Sequence, residues 1–379
     1  MNILIIGNGF DLAHDLPTQY ENFLDFTNVY LRIHCFDSKY TDSFKDYFKR
    51  IKQGNPSVYE EIGSLIKNNV WLKHFNAVYE ERRKDGKIGW IDFESEISNI
   101  VQEFDSIRLE MLVNIKNDQE VTYLKQYQID KLERFFINDK EPETLEGIVE
   151  IKKQMLEDLN RFTRCLEIYL SDYVNNQSVS KRLPDITGLK VDKVLSFNYT
   201  NTYERLYGKD IQDIEYDYIH GKADINHDVD SCQMVLGIDE YLPEGERDKN
   251  TEFIQFKKFF QRIYKKTGIV YYDWVSDFYF EQRNGFRNSE SSMETFKVYI
   301  IGHSLDITDK DILEAVMLMN DNKTIIFHHD QDALGKQIAN LVKVIGQDNL
   351  ISMVHGSNAR IILQQQQDAK NVEAKKKEE

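Results

Sequence analysis

Apolar residues fall along this chain in two rhythms that succeed one another. Asn2 to Ile6 reads NILII, a continuous aliphatic run that stops at Gly7. Such a run, with no polar alternation, predicts a strand buried on both faces, as in a parallel sheet covered by helices. Beyond the glycines, Pro17 stands where a first helical turn would begin, and Tyr20, Phe23 and Leu24 follow at helical spacing. The texture then changes. Apolar residues recur at Ile97, Val101, Phe104 and Ile107, and again at Ile148, Ile151, Met155, Leu159, Phe162, Leu166 and Tyr169. Steps of three and four sustained over that distance predict long amphipathic helices. The link between them, near Lys140-Glu141-Pro142-Glu143, is polar.

Strand-like segments return afterwards at Val191 to Phe197, Tyr216 to Ile219, Met234 to Leu236, Lys297 to Ile301 and Thr324 to Phe327. The pattern divides the chain into an α/β domain made of residues 1–95 and 185–363, a helical insertion over 96–184, and a polar tail over 364–379. The apolar stripe from Ile148 to Tyr169 is too long to stay exposed, so it is expected to pack on the sheet domain or on a second copy in a homo-oligomer.

Composition narrows the function classes. Hydrophobic residues make up 41% of the 379 residues, enough apolar area for a sizeable core and against wholesale disorder. Lys plus Arg number 48 against 64 Asp plus Glu, a formal charge of −16. That surface repels duplex DNA and anionic lipid, which makes nucleic acid an unfavoured partner. The basic runs Arg82-Arg83-Lys84 and Lys375-Lys376-Lys377 are short and mixed with acids, as on a solvated helix face. Cys35, Cys165 and Cys232 are odd in number and far apart, which fits neither a disulfide framework nor a cysteine zinc site. The opening apolar run is too short for a signal peptide, and nothing later approaches about 18 uninterrupted apolar residues. A cytoplasmic protein without a membrane span is expected.

Candidate chemistry sits where strands end. Gly7-Asn8-Gly9-Phe10-Asp11 follows the first strand, where glycines let the backbone turn tightly and approach a phosphate. A tight strand-to-helix turn is the structural alternative. The dehydrogenase fingerprint is not met, because Leu12 occupies the third glycine position. Ser196-Phe197-Asn198-Tyr199-Thr200-Asn201 ends a second strand, as a ligand-facing group or as a cap for the next helix. Ile219-His220-Gly221 supplies an imidazole suited to take a proton near neutral pH. Ile301-Gly302-His303-Ser304-Leu305-Asp306 offers a further phosphate contact through Gly302 and Ser304, while Thr308 and Asp311 read as a capping box. The chain lacks a GxxxxGK[ST] phosphate loop, an HExxH zinc helix and a GxSxG nucleophile elbow. His328-His329-Asp330 reads as surface, because adjacent histidines on a strand end point apart. No metal ligands are assigned.

Taken in order, these motifs and Leu236-Gly237-Ile238-Asp239-Glu240 resemble the AbiH family of bacterial abortive-infection proteins, from residue 3 to about residue 313. That family in turn is similar to the sirtuin-like NAD-binding fold. The resemblance implies a Rossmann-like, mainly parallel sheet with a large helical insertion and a nucleotide across its C-terminal strand ends. It sets Gly7, Asn8, Gly9 and Phe10 at the phosphates, with Gly302 and Ser304 beyond them. It sets Asn198 and Thr200 on the ribose side, and His220 as the catalytic histidine. Asp11 stands where serine is usual and Thr200 where aspartate is usual. The sirtuin zinc cysteines are absent, so protein deacetylation is not expected.

The implied function is a phage-defence effector that hydrolyses NAD to nicotinamide and ADP-ribose. NAD would be its substrate, with no permanently bound cofactor, and a phage-derived trigger would switch it on. His220, Asn198 and Asp11 would carry the catalysis, Asp11 as an electrostatic stabiliser or as a helix cap. Two alternatives belong to other classes: a nucleotide-binding sensor without turnover, and a nuclease using Asp11 and Asp239 with Mg²⁺.

Overall fold

In the computed structural model the aliphatic run Asn2–Ile6 is a central strand, β1. Described are residues 1–35, 39–84, 92–117, 124–209, 211, 213–285, 296–319, 322–356 and 359–371. The chain is mixed α/β and divides into two compact units: Met1–Thr18 with Val174–Lys222 and Lys266–Glu379, and Gln19–Tyr173 with Ala223–Lys265.

The first unit holds a six-stranded sheet. After β1 come β2 (Lys193–Ser196), β3 (Glu215–Tyr218), β4 (Phe296–Ile301), β5 (Asn322–His328) and β6 (Ile361–Gln365). Every pairing is parallel, and the spatial order is β3-β2-β1-β4-β5-β6. Strand order therefore reverses direction between β1 and β4, a topological switch point of the kind beside which open α/β sheets bind ligands. The unbroken aliphatic run is explained by side-chain alternation: Ile3 and Ile5 join one buried cluster, Leu4 and Ile6 another. Helices Lys310–Met317, Gln331–Ile345 and Gln347–Val354 supply the first cluster, including Ile312, Val316, Leu341 and Met353. With both faces covered, neither had room for polar alternation.

Two expectations on strands change. Met234 to Leu236 pairs with no strand. The Leu236 N–H donates to Gln261 Oε1 at 3.1 Å, and Gln261 Nε2 donates back to the Leu236 carbonyl at 3.1 Å. Those bonds replace a ladder, and Ile238 makes only an isolated bridge to Lys257. The start of the predicted tail is instead structured: Gln364 and Gln365 close β6, and Lys370–Asn371 pairs antiparallel with Lys181–Arg182. Residues 372–379, with Lys375 to Lys377, lie outside the described residues.

The second unit is helical. It contains Tyr20–Leu31, Thr41–Gly54, Pro56–Ile66, Val70–Lys84, Phe93–Lys116 and Leu145–Ile168 among its helices. Side-chain caps fix two starts: Asp92 accepts from the Glu94 N–H at 3.0 Å, and Thr144 from the Gly147 N–H at 3.2 Å. The stripe Ile148, Ile151, Met155, Leu159, Phe162 and Leu166 is buried. Phe162 meets Phe23, Phe75 and Phe93, with ring centroids 5.2 Å apart in each case. The expected insertion over 96–184 falls largely in this unit, which begins earlier, at Gln19, and also takes in Ala223–Lys265. Buried Arg164 ties that later segment down, donating to the Asp224 and Ile225 carbonyls at 2.9 Å.

Candidate functional site

The first unit gathers its strand-end motifs at the C-terminal edge of the sheet. At the switch point the turns after β1 and β4 touch backbone to backbone. Gly7 N–H donates to the Ile301 carbonyl at 3.2 Å, Gly9 N–H to Gly302 at 2.8 Å, and Phe10 N–H to Gly7 at 2.8 Å. A Cβ on Gly7 would come 2.7 Å from the Gly302 oxygen, and one on Gly302, at φ +67°, would come 2.1 Å from the Phe10 nitrogen. These glycines permit a close approach of two loops. The N–H groups of Gly7, Gly9 and Phe10, residues expected with Asn8 at the phosphates, already serve carbonyls. Among the polar side chains of these turns, Asn8 is half-buried and donates from Nδ2 to the Thr18 carbonyl at 3.4 Å, and Ser304 is exposed.

Gly302→Ala is therefore expected to cost at least about 2 kcal/mol, from a left-handed backbone plus a contact that backbone atoms must relieve. Gly188→Ala, at φ +90° with nothing within 4 Å of the added carbon, should cost only about 1 kcal/mol. Equal unfolding midpoints in denaturant for the two variants would contradict the loop-contact reading.

The chain turns helical at once after Gly7, over Asn8–Ala13, and Pro17 falls in the connection that follows. Asp11 lies inside this helix and not at its cap, with only 1% of its surface exposed. The Thr200 hydroxyl donates to Asp11 Oδ2 at 2.6 Å, and Thr202 donates to the Thr200 hydroxyl at 3.1 Å. Burial pushes the Asp11 carboxyl up to about 6, with the hydrogen bonds and the Arg205 charge opposing it only in part. Asn198, 5% exposed, donates from Nδ2 to the Gly7 carbonyl at 3.0 Å, so the turn after β2 is latched to the turn after β1. His14 is structural. Its Nδ1 lies 2.7 Å from the Phe10 carbonyl and its Nε2 2.8 Å from the Tyr207 hydroxyl, and burial lowers its basicity.

His220 follows β3 and is 6% exposed. Its Nε2 lies 3.5 Å from Asp309 Oδ1, while His303 Nε2 lies 3.5 Å from Asp309 Oδ2. The Phe197 ring packs beside both imidazoles, with centroids 4.2 Å from His303 and 5.7 Å from His220. His303 Nδ1 accepts from the Leu305 N–H at 2.9 Å, and Leu305 holds a left-handed φ of 58°. A bulky residue in that region is strained, and such strain collects at functional sites. The predicted Thr308–Asp311 capping box gives way to Asp306, which accepts from the Thr308 N–H at 3.1 Å ahead of a 3-10 turn, Ile307–Asp309. That turn is what carries Asp309 inward. His328, expected on the surface, is buried, and Asp330 caps the following helix through the Ala333 N–H at 2.7 Å.

The structure thus brings Asn198, Thr200, Asp11, Gly7 and Gly302 into one connected set, and joins His220 to it through Phe197 and His303. Sequence reasoning passed over Asp309 and the ring of His303. The available signal was a histidine directly after Gly302. Leu236-Gly237-Ile238-Asp239-Glu240 belongs to the other unit, where Glu240 receives Lys257 Nζ at 2.8 Å on both oxygens. Among the described residues no group of three or more His, Cys, Asp or Glu is arranged to hold a metal ion, and no helix is long and apolar enough to cross a membrane.

No functionally curated protein matches the chain in sequence. A family model described as "Bacteriophage abortive infection AbiH" matches residues 3–329, a span that contains every strand-end motif above. The chain belongs to the AbiH family of phage abortive-infection proteins.

Proposed function

We propose that this AbiH protein is a defence effector with a Rossmann-like, sirtuin-like nucleotide domain that hydrolyses NAD to nicotinamide and ADP-ribose. The observation that carries the reading is the convergence of Asn198, the Asp11–Thr200 pair and His220 at one edge of a parallel sheet. The sheet order supports it: numbered along the chain it is 3-2-1-4-5-6, the order of doubly wound dinucleotide-binding sheets. The two departures from the sirtuin-like pattern also meet. Asp11 stands for serine and Thr200 for aspartate, and they are hydrogen-bonded at 2.6 Å, so a carboxylate and a hydroxyl are both retained with their positions exchanged.

The chemistry asked of this edge is modest. The bond between ribose and nicotinamide breaks, its electron pair passes to the pyridinium nitrogen, and positive charge develops on the sugar. A water oxygen bonds to the ribose carbon and gives its proton to His220, which returns it to solvent. Asp11, ionised above about pH 6, would stabilise the cationic sugar. Asn198 would hold the ribose side in register with the Gly7 turn, and Asn8 with Ser304 would meet the phosphates. The engaged glycine amides favour one second reading, a nucleotide-binding sensor that rearranges without turnover.

Metabolite measurements in infected cells separate these. Cells carrying the protein should lose NAD and gain nicotinamide during infection, and cells carrying His220→Ala should show neither change. Protection from phage with NAD constant throughout would refute hydrolysis.

A further inference from the structure

We infer that Asp309 is a positioning residue for His220, and that His303 is the anchor that holds Asp309 in place. The role of Asp309 in turnover rests on the NAD-hydrolase reading, but the arrangement itself does not.

The chain of contacts begins in the backbone. Leu305, fully buried and at φ 58°, turns its N–H onto His303 Nδ1 at 2.9 Å. A nitrogen that accepts a hydrogen bond carries no proton, so neutral His303 must be protonated on Nε2. That nitrogen faces Asp309 Oδ2 at 3.5 Å, and the other carboxylate oxygen faces His220 Nε2 at 3.5 Å. Asp309 is 7% exposed, so its charge acts on both rings with little screening by water. At 3.5 Å both contacts are longer than closed hydrogen bonds, which tighten in catalytic sites when substrate arrives.

His303 cannot itself be the base. Its Nδ1 already accepts the Leu305 N–H, and its Nε2, protonated, faces Asp309. His220 has Nε2 turned to the carboxylate and Nδ1 buried; in the NAD-hydrolase reading Nδ1 would take the proton of the reacting water. The carboxylate then stabilises the imidazolium that forms, as carboxylates behind catalytic histidines do. Of the neighbouring charged groups, Lys222 is paired with Glu204 at 2.6 Å. Tyr199, with its ring 6.3 Å from that of His220, is the nearby phenol.

The test uses the full chain with isotope-labelled histidine. In the wild type, long-range proton–nitrogen spectra should show His303 as the Nε2–H tautomer; an Nδ1–H tautomer overturns the inference without any variant. In Asp309→Asn the midpoint of the His220 titration should fall by about one unit or more, the effect of removing a nearby carboxylate. In Asp311→Asn, which changes an exposed carboxylate two positions on, it should stay. Nicotinamide release by Asp309→Asn should fall at least about tenfold, a part of what a general base supplies, with KM nearly unchanged and the pH profile displaced to lower pH. A folded Asp309→Asn whose His220 titrates as in the wild type overturns the inference. A displaced titration in a protein that never cleaves NAD sustains the arrangement and removes the hydrolase reading alone.

Discussion

Replacing His220 with alanine is expected to lower nicotinamide release from NAD by at least about a hundredfold, the lower end of what a lost general base costs. The imidazole has a carboxylate behind it, Asp309 at 3.5 Å. NAD affinity should change little, because Asn8 and Ser304 lie on other turns. Asn198→Ala should lose activity as well, since its side chain latches the turn after β2 to Gly7. If both residues act on one water or ribose hydroxyl, the double variant should lose less than the sum of the two in free energy. Steady-state rates for the four proteins check this. Full turnover by His220→Ala would keep the enzyme and discard the mechanism.

Asp11→Asn should stabilise the protein, and the gain should depend on pH. An aspartate ordinarily titrates near 3.8, and burial raises Asp11 to about 6. A raised pKa means that the folded state binds this proton more tightly than the unfolded chain does. The associated stability is fully present below the ordinary pKa and is lost as pH climbs toward and through about 6. A displacement of about two units corresponds to about 3 kcal/mol of cost to the folded state at pH 8. Asparagine never pays it, and its carbonyl oxygen keeps the Thr200 hydroxyl satisfied. Denaturant midpoints at pH 4.5 and pH 8 should therefore give a clear gain for Asp11→Asn at pH 8 and only about a third of it at pH 4.5. The same gain at both values would mean that the carboxyl is not ionising in the fold. A carboxylate kept where it destabilises the fold is what a functional site looks like. The substitution should accordingly lower activity while it raises stability.

Much of the sheet was legible because its rules are local. NILII could only be a strand with two buried faces, and the stops at Gly7, Phe197, Ile219 and Gly302 mark the ends of β1 to β4 on one edge. Strand β6 escaped notice because Ile361–Gln365 ends in two glutamines and sits at the border of the sheet, where burial no longer demands an apolar run. Met234 to Leu236 misled in the opposite direction, being apolar for packing while Gln261 took its backbone. The pairing of Asp11 with Thr200 spans 189 positions and leaves no periodic trace. Asp309 stayed hidden for a backbone reason. Thr308 and Asp311 satisfied the capping pattern, and nothing in a sequence announces that a leucine will adopt φ 58° and swing the following turn inward.

Purified full-length protein incubated with NAD, in parallel with tRNA, with and without Mg²⁺ and with extract of phage-infected cells, tests the central claim most directly. The account predicts equal amounts of nicotinamide and ADP-ribose, independent of Mg²⁺, with tRNA intact. NAD recovered whole from the protein under every condition would contradict it, and tRNA cleaved only with Mg²⁺ would point to a nuclease instead.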